Sequence, residues 1–490
     1  MSTDPGLSEL LVRDDRTMRD ALTVIDRNAQ GICFVTAADG RLVGVITDGD
    51  IRRALIAGRT LDAPVADVMQ RDFTALPVDT PVEHIQAKLS GMVRHIPLLD
   101  ERGVPVDHAS LRRAHRIQVM SPQLDGRELD YVTECLRTGW ISSQGAFVKR
   151  FEAEFAQRCN MSHALAVSNG TVAIHLALVA LGVGEGDEVI VPDLTFAASI
   201  NTIIHAGATP VMADVHPDTW TLDPAEVERL ITPRTKAIMP VHLYGHPCHM
   251  DELMAIARKH GLLVVEDCAE ALGALYKGRP VGSFGDAATF SFFGNKTITT
   301  GEGGMVLFRD AEVTERAIVL RDHGMDKRKR YWHQLVGFNY RMTNVQAAIG
   351  VAQLERLDEF VTAKRRLAAI YNEGLNAIGG ITLPPEAEWA FNGFWLYSCL
   401  LKEEFGLGRD ELMEKMMKNG VETRPLFYPL HEMPPYVPYK LAGQEFPVST
   451  ALSRAGISLP SSVTILREEQ ESVMNAMRTI HDTRRLHVAV

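Results

Sequence analysis

The chain has 490 residues, 46% of them hydrophobic and 23% charged, with a formal net charge of −11. That length exceeds what one ordinary core fills, so two or three domains are expected. The acidic balance argues against general nucleic-acid binding, no apolar run reaches the about eighteen residues of a membrane span, and no basic-then-apolar leader opens the chain, so a cytoplasmic setting is expected.

Residues 1–112 read as a separate unit. Periodicity predicts a helix over 16–28, a strand over 31–36, a turn over 37–41, a strand over 42–47 and a helix over 50–57. The order recurs as helix 81–92, strand 95–99 and turn 100–103, with 60–74 between the copies. Gly-Val-Ile-Thr-Asp-Gly-Asp-Ile-Arg-Arg, at 44–53, resembles the most recognisable segment of a tandem CBS (cystathionine-β-synthase) domain pair. That resemblance implies an α+β pair in which Thr47 and Asp50 contact the ribose of an adenine nucleotide. After Gly103, where such a pair has a strand and Thr-x-x-Asp, the chain reads Val-Pro-Val-Asp-His-Ala-Ser-Leu. Neither the strand nor a second nucleotide site is therefore expected. The pair reads either as a ligand sensor or as a structural or dimerising module.

The basic stretch at 112–116 reads as a solvated connector, with the linker placed at 113–119. Beyond it, strands are expected at 164–168, 188–192, 209–214, 237–241 and 262–266. They alternate with helices at 171–181, 196–206, 250–260 and one beginning over 226–230. The alternation implies an α/β domain with a largely parallel sheet, and runs such as Leu-Leu-Val-Val suit strands covered on both faces. Near residue 365 the rhythm turns to α+β with Pro-rich loops at 425–438, which places a large domain at 120–364 and a smaller one at 365–490. The six cysteines (Cys33, Cys135, Cys159, Cys248, Cys268, Cys399) lack metal-ligand spacing; they fit a reduced compartment, and no metal is expected.

Lys296 lies in Thr-Phe-Ser-Phe-Phe-Gly-Asn-Lys-Thr-Ile-Thr-Thr-Gly-Glu-Gly-Gly, residues 289–304. A lysine on a Gly-rich turn attacks a carbonyl once its amine is desolvated. Upstream, the apolar run 261–267 ends on Asp267, a carboxylate suited to keeping a pyridinium nitrogen protonated. These are the two protein groups that a pyridoxal phosphate enzyme requires. Ligands of parallel sheets collect beyond the carboxyl ends of the strands, where the other candidates also fall. In Ala-Val-Ser-Asn-Gly-Thr, 166–171, Gly170 allows a close turn and the following helix offers N–H groups to a phosphate. Phe196 can stack on a planar ring, Glu270 lies just past Asp267, and Ser291 can donate to the same phosphate.

From Gln118-Val-Met-Ser-Pro, through Thr138-Gly-Trp-Ile-Ser-Ser143, to Gly337-Phe-Asn-Tyr-Arg-Met-Thr-Asn-Val-Gln-Ala-Ala348, residues 117–490 resemble the DegT/DnrJ/StrS sugar aminotransferases. The resemblance implies the aspartate-aminotransferase-like fold type I, with pyridoxal 5'-phosphate as cofactor. It makes Lys296 the Schiff-base lysine and later the acid–base, Asp267 the partner of the pyridine nitrogen and Phe196 the ring-stacking residue. Gly170, Thr171 and Ser291 hold the phosphate, and Asn339 reaches the phosphate of a neighbouring subunit, implying a homodimer whose monomer is inactive. The family commonly has Gln where this chain has Glu270, near the cofactor's ring oxygen; an acid there must donate a proton or tolerate close negative charge. Relatives with histidine in place of the lysine are dehydratases, so Lys296 favours transamination.

Residues 292–304, 337–344 and 424–436 narrow the resemblance to the GDP-perosamine synthase group. It implies glutamate-dependent amination at C4 of GDP-4-keto-6-deoxymannose, with Tyr428 and His431 near the nucleotide sugar. UDP- or dTDP-linked keto sugars are the alternative substrates. A pyridoxal phosphate-binding regulator without catalysis is the alternative class, although no helix-turn-helix or basic recognition helix is evident.

Overall fold

The computed structural model describes residues 7–89, 93–110, 117–326 and 328–488. It divides into two units between Ile117 and Gln118. In the first, the Thr17 hydroxyl accepts from the Asp20 amide while the Asp20 carboxylate bonds back, a capping box that starts the helix Met18–Asn28. The helix lays Met18, Ala21 and Ile25 into a core shared with Cys33, Val35 and Ile46. Those residues belong to a three-stranded sheet of Leu11–Arg13, Ile32–Thr36 and Leu42–Thr47.

The second copy pairs the helix Val82–Lys88 with strands Leu76–Pro77, His95–Leu99 and Pro105–Ser110. The last of these corrects the expectation that no strand follows Gly103. Val106 and Asp107 are both exposed and His108, Ala109 and Ser110 all buried, so the alternation that betrays a strand is broken. The strand forms because it pairs antiparallel with His95–Leu99, and the Asp100 carboxylate closes the hairpin by accepting the Val104 N–H at 2.8 Å. The end of the helix expected over 81–92 (residues 90–92) and the basic stretch 112–116 lie outside the described residues.

The second unit is built on seven strands in the order His163–Val167, Gly304–Phe308, Ala287–Ser291, Leu263–Asp267, Thr235–Ile238, Glu188–Pro192, Thr209–Ala213. All pairs are parallel except those of Gly304–Phe308, which is antiparallel to both neighbours. Helix Gly170–Ala180 is apolar all round and buried, as a helix lying in the middle of an α/β core must be. The strands read as continuous apolar runs because both faces are covered.

The helix Leu357–Leu375 runs unbroken through the expected boundary at 364/365, presenting Leu357, Phe360, Val361, Leu367, Tyr371 and Leu375 on one buried face. It leads to a four-stranded sheet ordered Ile381–Thr382, Tyr397–Leu401, Gly456–Leu459, Arg424–Pro425. Gln118 and Val119, expected in the linker, belong to the second unit. Val119 is buried with Trp395 and Leu426, and its N–H donates to Glu422 Oε2 at 3.2 Å. Among the described residues no helix is long and apolar enough to cross a membrane.

Candidate active site

Strands Leu263–Asp267 and Ala287–Ser291 run parallel with Asp267 opposite Thr289, so Asp267 and Ser291 leave the sheet at the same end. Lys296 follows on the Gly-rich turn, its side chain only 13% exposed. Its Nζ lies 3.9 Å from Glu270 Oε1 and 3.7 Å from the centre of the Trp395 ring. Burial lowers its proton affinity, and the charges of Glu270 and Asp267 oppose that. A lysine held this way is a neutral nucleophile nearer physiological pH than a surface lysine.

Burial also pushes the Glu270 carboxyl up to about 7, against Lys296 and the Tyr244 N–H, while Asp267 adds to the rise. That N–H donates to Glu270 Oε2 at 2.9 Å. Near neutrality this acid therefore holds a proton for part of the time and can donate it. Replacing Glu270 by Gln removes the carboxylate that raises the proton affinity of Lys296. The pH midpoint for the reaction of Lys296 with pyridoxal phosphate, followed by visible absorption, should fall by about one unit. An unmoved midpoint would mean that Glu270 carries no charge beside the lysine.

Asp267 is buried, with Oδ2 accepting from the Ser199 hydroxyl at 2.8 Å and Oδ1 from the Ala269 N–H at 3.1 Å. The preceding Glu266 stiffens the strand end. Its carboxylate accepts the N–H groups of Gly282, Phe284 and Gly285 at 2.8, 2.8 and 2.7 Å. His242 Nε2 completes the set at 3.1 Å from Glu266, and its Nδ1 accepts the Cys248 N–H at 2.9 Å, so the proton sits on Nε2. The close group His242, Glu266 and Cys268 is thus bonded into the protein as a brace for Asp267.

The turn before helix Gly170–Ala180 is crowded by design. A Cβ on Gly170 would lie 2.7 Å from that of Ser291, and one on Gly304 would lie 2.5 Å from Asn169 O. Asn169 caps the helix through the Val172 N–H at 3.0 Å, leaving the amides of Gly170 and Thr171 at the helix opening beside Ser291. These parts fit pyridoxal phosphate: amides and a hydroxyl for the phosphate, a buried amine for the carbonyl, a buried carboxylate for the ring nitrogen.

Phe196 precedes the helix Ala197–His205 instead of lying inside it, and its ring is free at 58% exposure. It approaches Phe427 at 5.8 Å, which stacks on Tyr244 at 5.3 Å, which stacks on Trp395 at 6.1 Å. Sequence reading missed Tyr244 and Trp395. Tyr244 (φ 51°) and Phe394 (φ 45°) adopt left-handed backbone that no glycine announces.

The remaining candidates have neighbours of their own. Asn339 is exposed, with Oδ1 accepting from Arg341 at 3.2 Å. His431 binds the buried Asp193 through Nδ1 at 2.8 Å and through its N–H at 2.9 Å, and its ring stacks on Phe446 at 4.5 Å. It latches the Pro-rich loop to the end of strand Glu188–Pro192. Tyr428 is exposed, 5.5 Å from the Arg409 guanidinium. In the first unit, Thr47 and Asp50 cap the helix Asp48–Ile56 together, their side chains 2.6 Å apart. Asp50 also accepts from Arg53 and from Gln70, the latter at 2.8 Å, so both side chains are already bonded within the protein.

Residues 122–478 match the DegT/DnrJ/EryC1/StrS aminotransferase family, and residues 1–57 and 65–108 match the CBS domain. The GDP-perosamine synthase of Caulobacter vibrioides is 50% identical over 363 residues, covering 97% of that protein and 74% of this chain. That of Vibrio cholerae is 45% identical over 362 residues, covering 98% of it and again 74% of this chain. Among solved structures, S. venezuelae DesV in complex with a ketimine intermediate matches with a TM-score of 0.69 at 38% identity, covering 73% of this chain and 94% of DesV. The matched family region holds Lys296, Asp267 and the turn before helix Gly170–Ala180. The chain belongs to the DegT/DnrJ/EryC1/StrS family, as a pyridoxal phosphate-dependent nucleotide-sugar aminotransferase of fold type I with an N-terminal CBS domain pair.

Proposed function

We propose that the enzyme transfers the amino group of glutamate to C4 of GDP-4-keto-6-deoxymannose, forming GDP-perosamine. The observation that carries this reading is the near full-length match of two GDP-perosamine synthases. Pyridoxal phosphate, when bound, supplies the carbonyl that takes the amino group and the ring that accepts carbanion electrons. The chain's own residues do the rest. The helix opening at Gly170 and Thr171, with Ser291, holds the phosphate, and Asp267 keeps a proton on the ring nitrogen. Lys296 Nζ takes up the proton of the glutamate α carbon in the first half-reaction and delivers a proton to C4 of the sugar in the second. Glutamate leaves as 2-oxoglutarate, and the C4 oxygen of the sugar leaves as water. Phe196 stacks on the ring face, the buried Tyr244 and Trp395 keep water from the amine, and Tyr428 and His431 border the nucleotide sugar. The exposed Asn339 completes the phosphate site of a second copy in a homodimer, and an adenine nucleotide at the CBS pair alters rate or assembly.

The test is mass analysis of products after incubation with pyridoxal phosphate, glutamate and GDP-, UDP- and dTDP-4-keto-6-deoxy sugars, with and without AMP or ATP. Amination of the GDP sugar alone is expected. Amination of a UDP or dTDP sugar instead would overturn the substrate, and no amination of any would favour a non-catalytic regulator. A rate and oligomeric state indifferent to AMP and ATP would remove the regulatory role.

A further inference from the structure

Lys364 is wholly buried, in the middle of the apolar face of helix Leu357–Leu375. A methionine or leucine would suit the surrounding Phe360, Val361, Leu367 and Ala368, and burying an amine there is costly unless its bonds are made. They are made without a carboxylate. Nζ donates to Trp395 O at 2.9 Å and to Ser461 O, and Met120 Sδ lies at 3.3 Å. Burial alone pushes the amine down to about 7. The neutral form has two N–H groups for the two carbonyls, whereas a third proton would face only a weakly accepting thioether.

What this amine holds is the floor of the nucleophile. The Trp395 indole lies against Lys296 Nζ at 3.7 Å, and its Nε1–H donates to Asn295 O at 2.7 Å, one residue from the lysine. The chain entering Trp395 is strained. Phe394 has φ 45°, and a Cβ on the facing Gly245 would lie 2.5 Å from Phe394 N. Such backbone persists only where its surroundings over-determine it. Arg365, next to Lys364 on the same helix, adds a bond to Asn392 O at 2.8 Å, and Asn392 Oδ1 accepts the Phe394 N–H at 2.7 Å. Ser461 is tied in turn to Val119 O at 2.7 Å and to the Tyr397 N–H at 2.8 Å.

We propose that Lys364 is a positioning residue for the catalytic lysine: its buried amine fixes the backbone of Trp395, and so keeps the indole against Lys296 Nζ and water away from it. The inference rests on the reading of Lys296 as the residue that joins the cofactor. A lysine that merely filled the core would, when replaced, lower stability without changing the proton affinity of Lys296.

The experiment uses the full chain with Lys364→Met, Trp395→Ala and both together. The pH midpoint for the reaction of Lys296 with pyridoxal phosphate is read by visible absorption. Glu270 and Asp267, the titratable groups facing Lys296, are unchanged in all three. Desolvation is the largest influence on Lys296, so water admitted by a displaced indole raises its proton affinity and outweighs the loss of the ring face. Lys364→Met should move the midpoint up by about one unit, a reaction about tenfold slower near neutrality. Trp395→Ala should do the same, and the double variant should add little to it. An unmoved midpoint in Lys364→Met, or additive shifts, would overturn the proposal. Should Lys364→Met fail to fold, Lys364→Gln keeps two N–H donors and should give a smaller upward shift, no shift again counting against the idea. If the wild-type chain gained no such absorption, the assignment of Lys296 would fail instead.

Discussion

Lys296→Ala is expected to lower turnover by at least about ten-thousand-fold, since the proposed mechanism has one amine both join the cofactor and move the substrate proton. The variant should fold. Truncation removes the cation 3.9 Å from Glu270, and a buried carboxyl without that cation simply holds its proton more tightly. The phosphate turn and Asp267 are untouched, so pyridoxal phosphate should still bind, but loosely. It should show the absorption of the free aldehyde and be lost on dialysis, where wild type retains it. Product mass analysis with glutamate and the keto sugar checks the rate. Amination at the wild-type rate would exclude Lys296 from the chemistry.

Asp267→Asn should reduce turnover by about a hundred- to a thousand-fold, the range seen when one preorganised electrostatic partner is lost from a buried site. The fold should survive. The amide oxygen can still accept from the Ala269 N–H, and the Ser199 hydroxyl can turn toward Thr195 Oγ1, 3.1 Å away, while accepting from the new amide. Thermal unfolding of the apoprotein should therefore move little, which separates a chemical effect from collapse. The discriminating measurement is the glutamate half-reaction alone, followed by loss of visible absorption in a single turnover. A wild-type rate there would mean that the ring nitrogen needs no carboxylate.

Much of this site was readable from the chain because of where buried strands must end. Leu263–Asp267 and Ala287–Ser291 are short runs whose faces are both covered, and the polar residue closing each had to emerge at the sheet's ligand-binding end. Gly170 was legible for the same reason: a turn that tight tolerates no side chain. Tyr244 and Trp395 were not, since they come from opposite sides of Lys296 in sequence and are set by left-handed backbone at non-glycine residues. His431 shows the limit of a motif. Its side chain is engaged by Asp193, a contact between distant segments that no local pattern encodes. Lys364 did leave a signal, since it occupies the apolar stripe of Phe360, Val361, Leu367 and Tyr371 where a helix surface residue has no place. The strand Pro105–Ser110 left almost none, because its period is broken by burial of three consecutive residues.

During synthesis, the strand His163–Val167 has no sheet partner until Gly304–Phe308 has been made, since among the described residues that strand alone joins it to the others. The phosphate turn that follows it therefore cannot close against Ser291 while the ribosome is still translating the middle of the chain, and Trp395 arrives later still. Until then the nascent polypeptide carries an unpaired edge open to mispairing, and its sheet must be completed by a slow, long-range closure. Vitamin B6 capture is consequently a late event in the life of each molecule, and retained cofactor reports a chain that has been finished as well as folded.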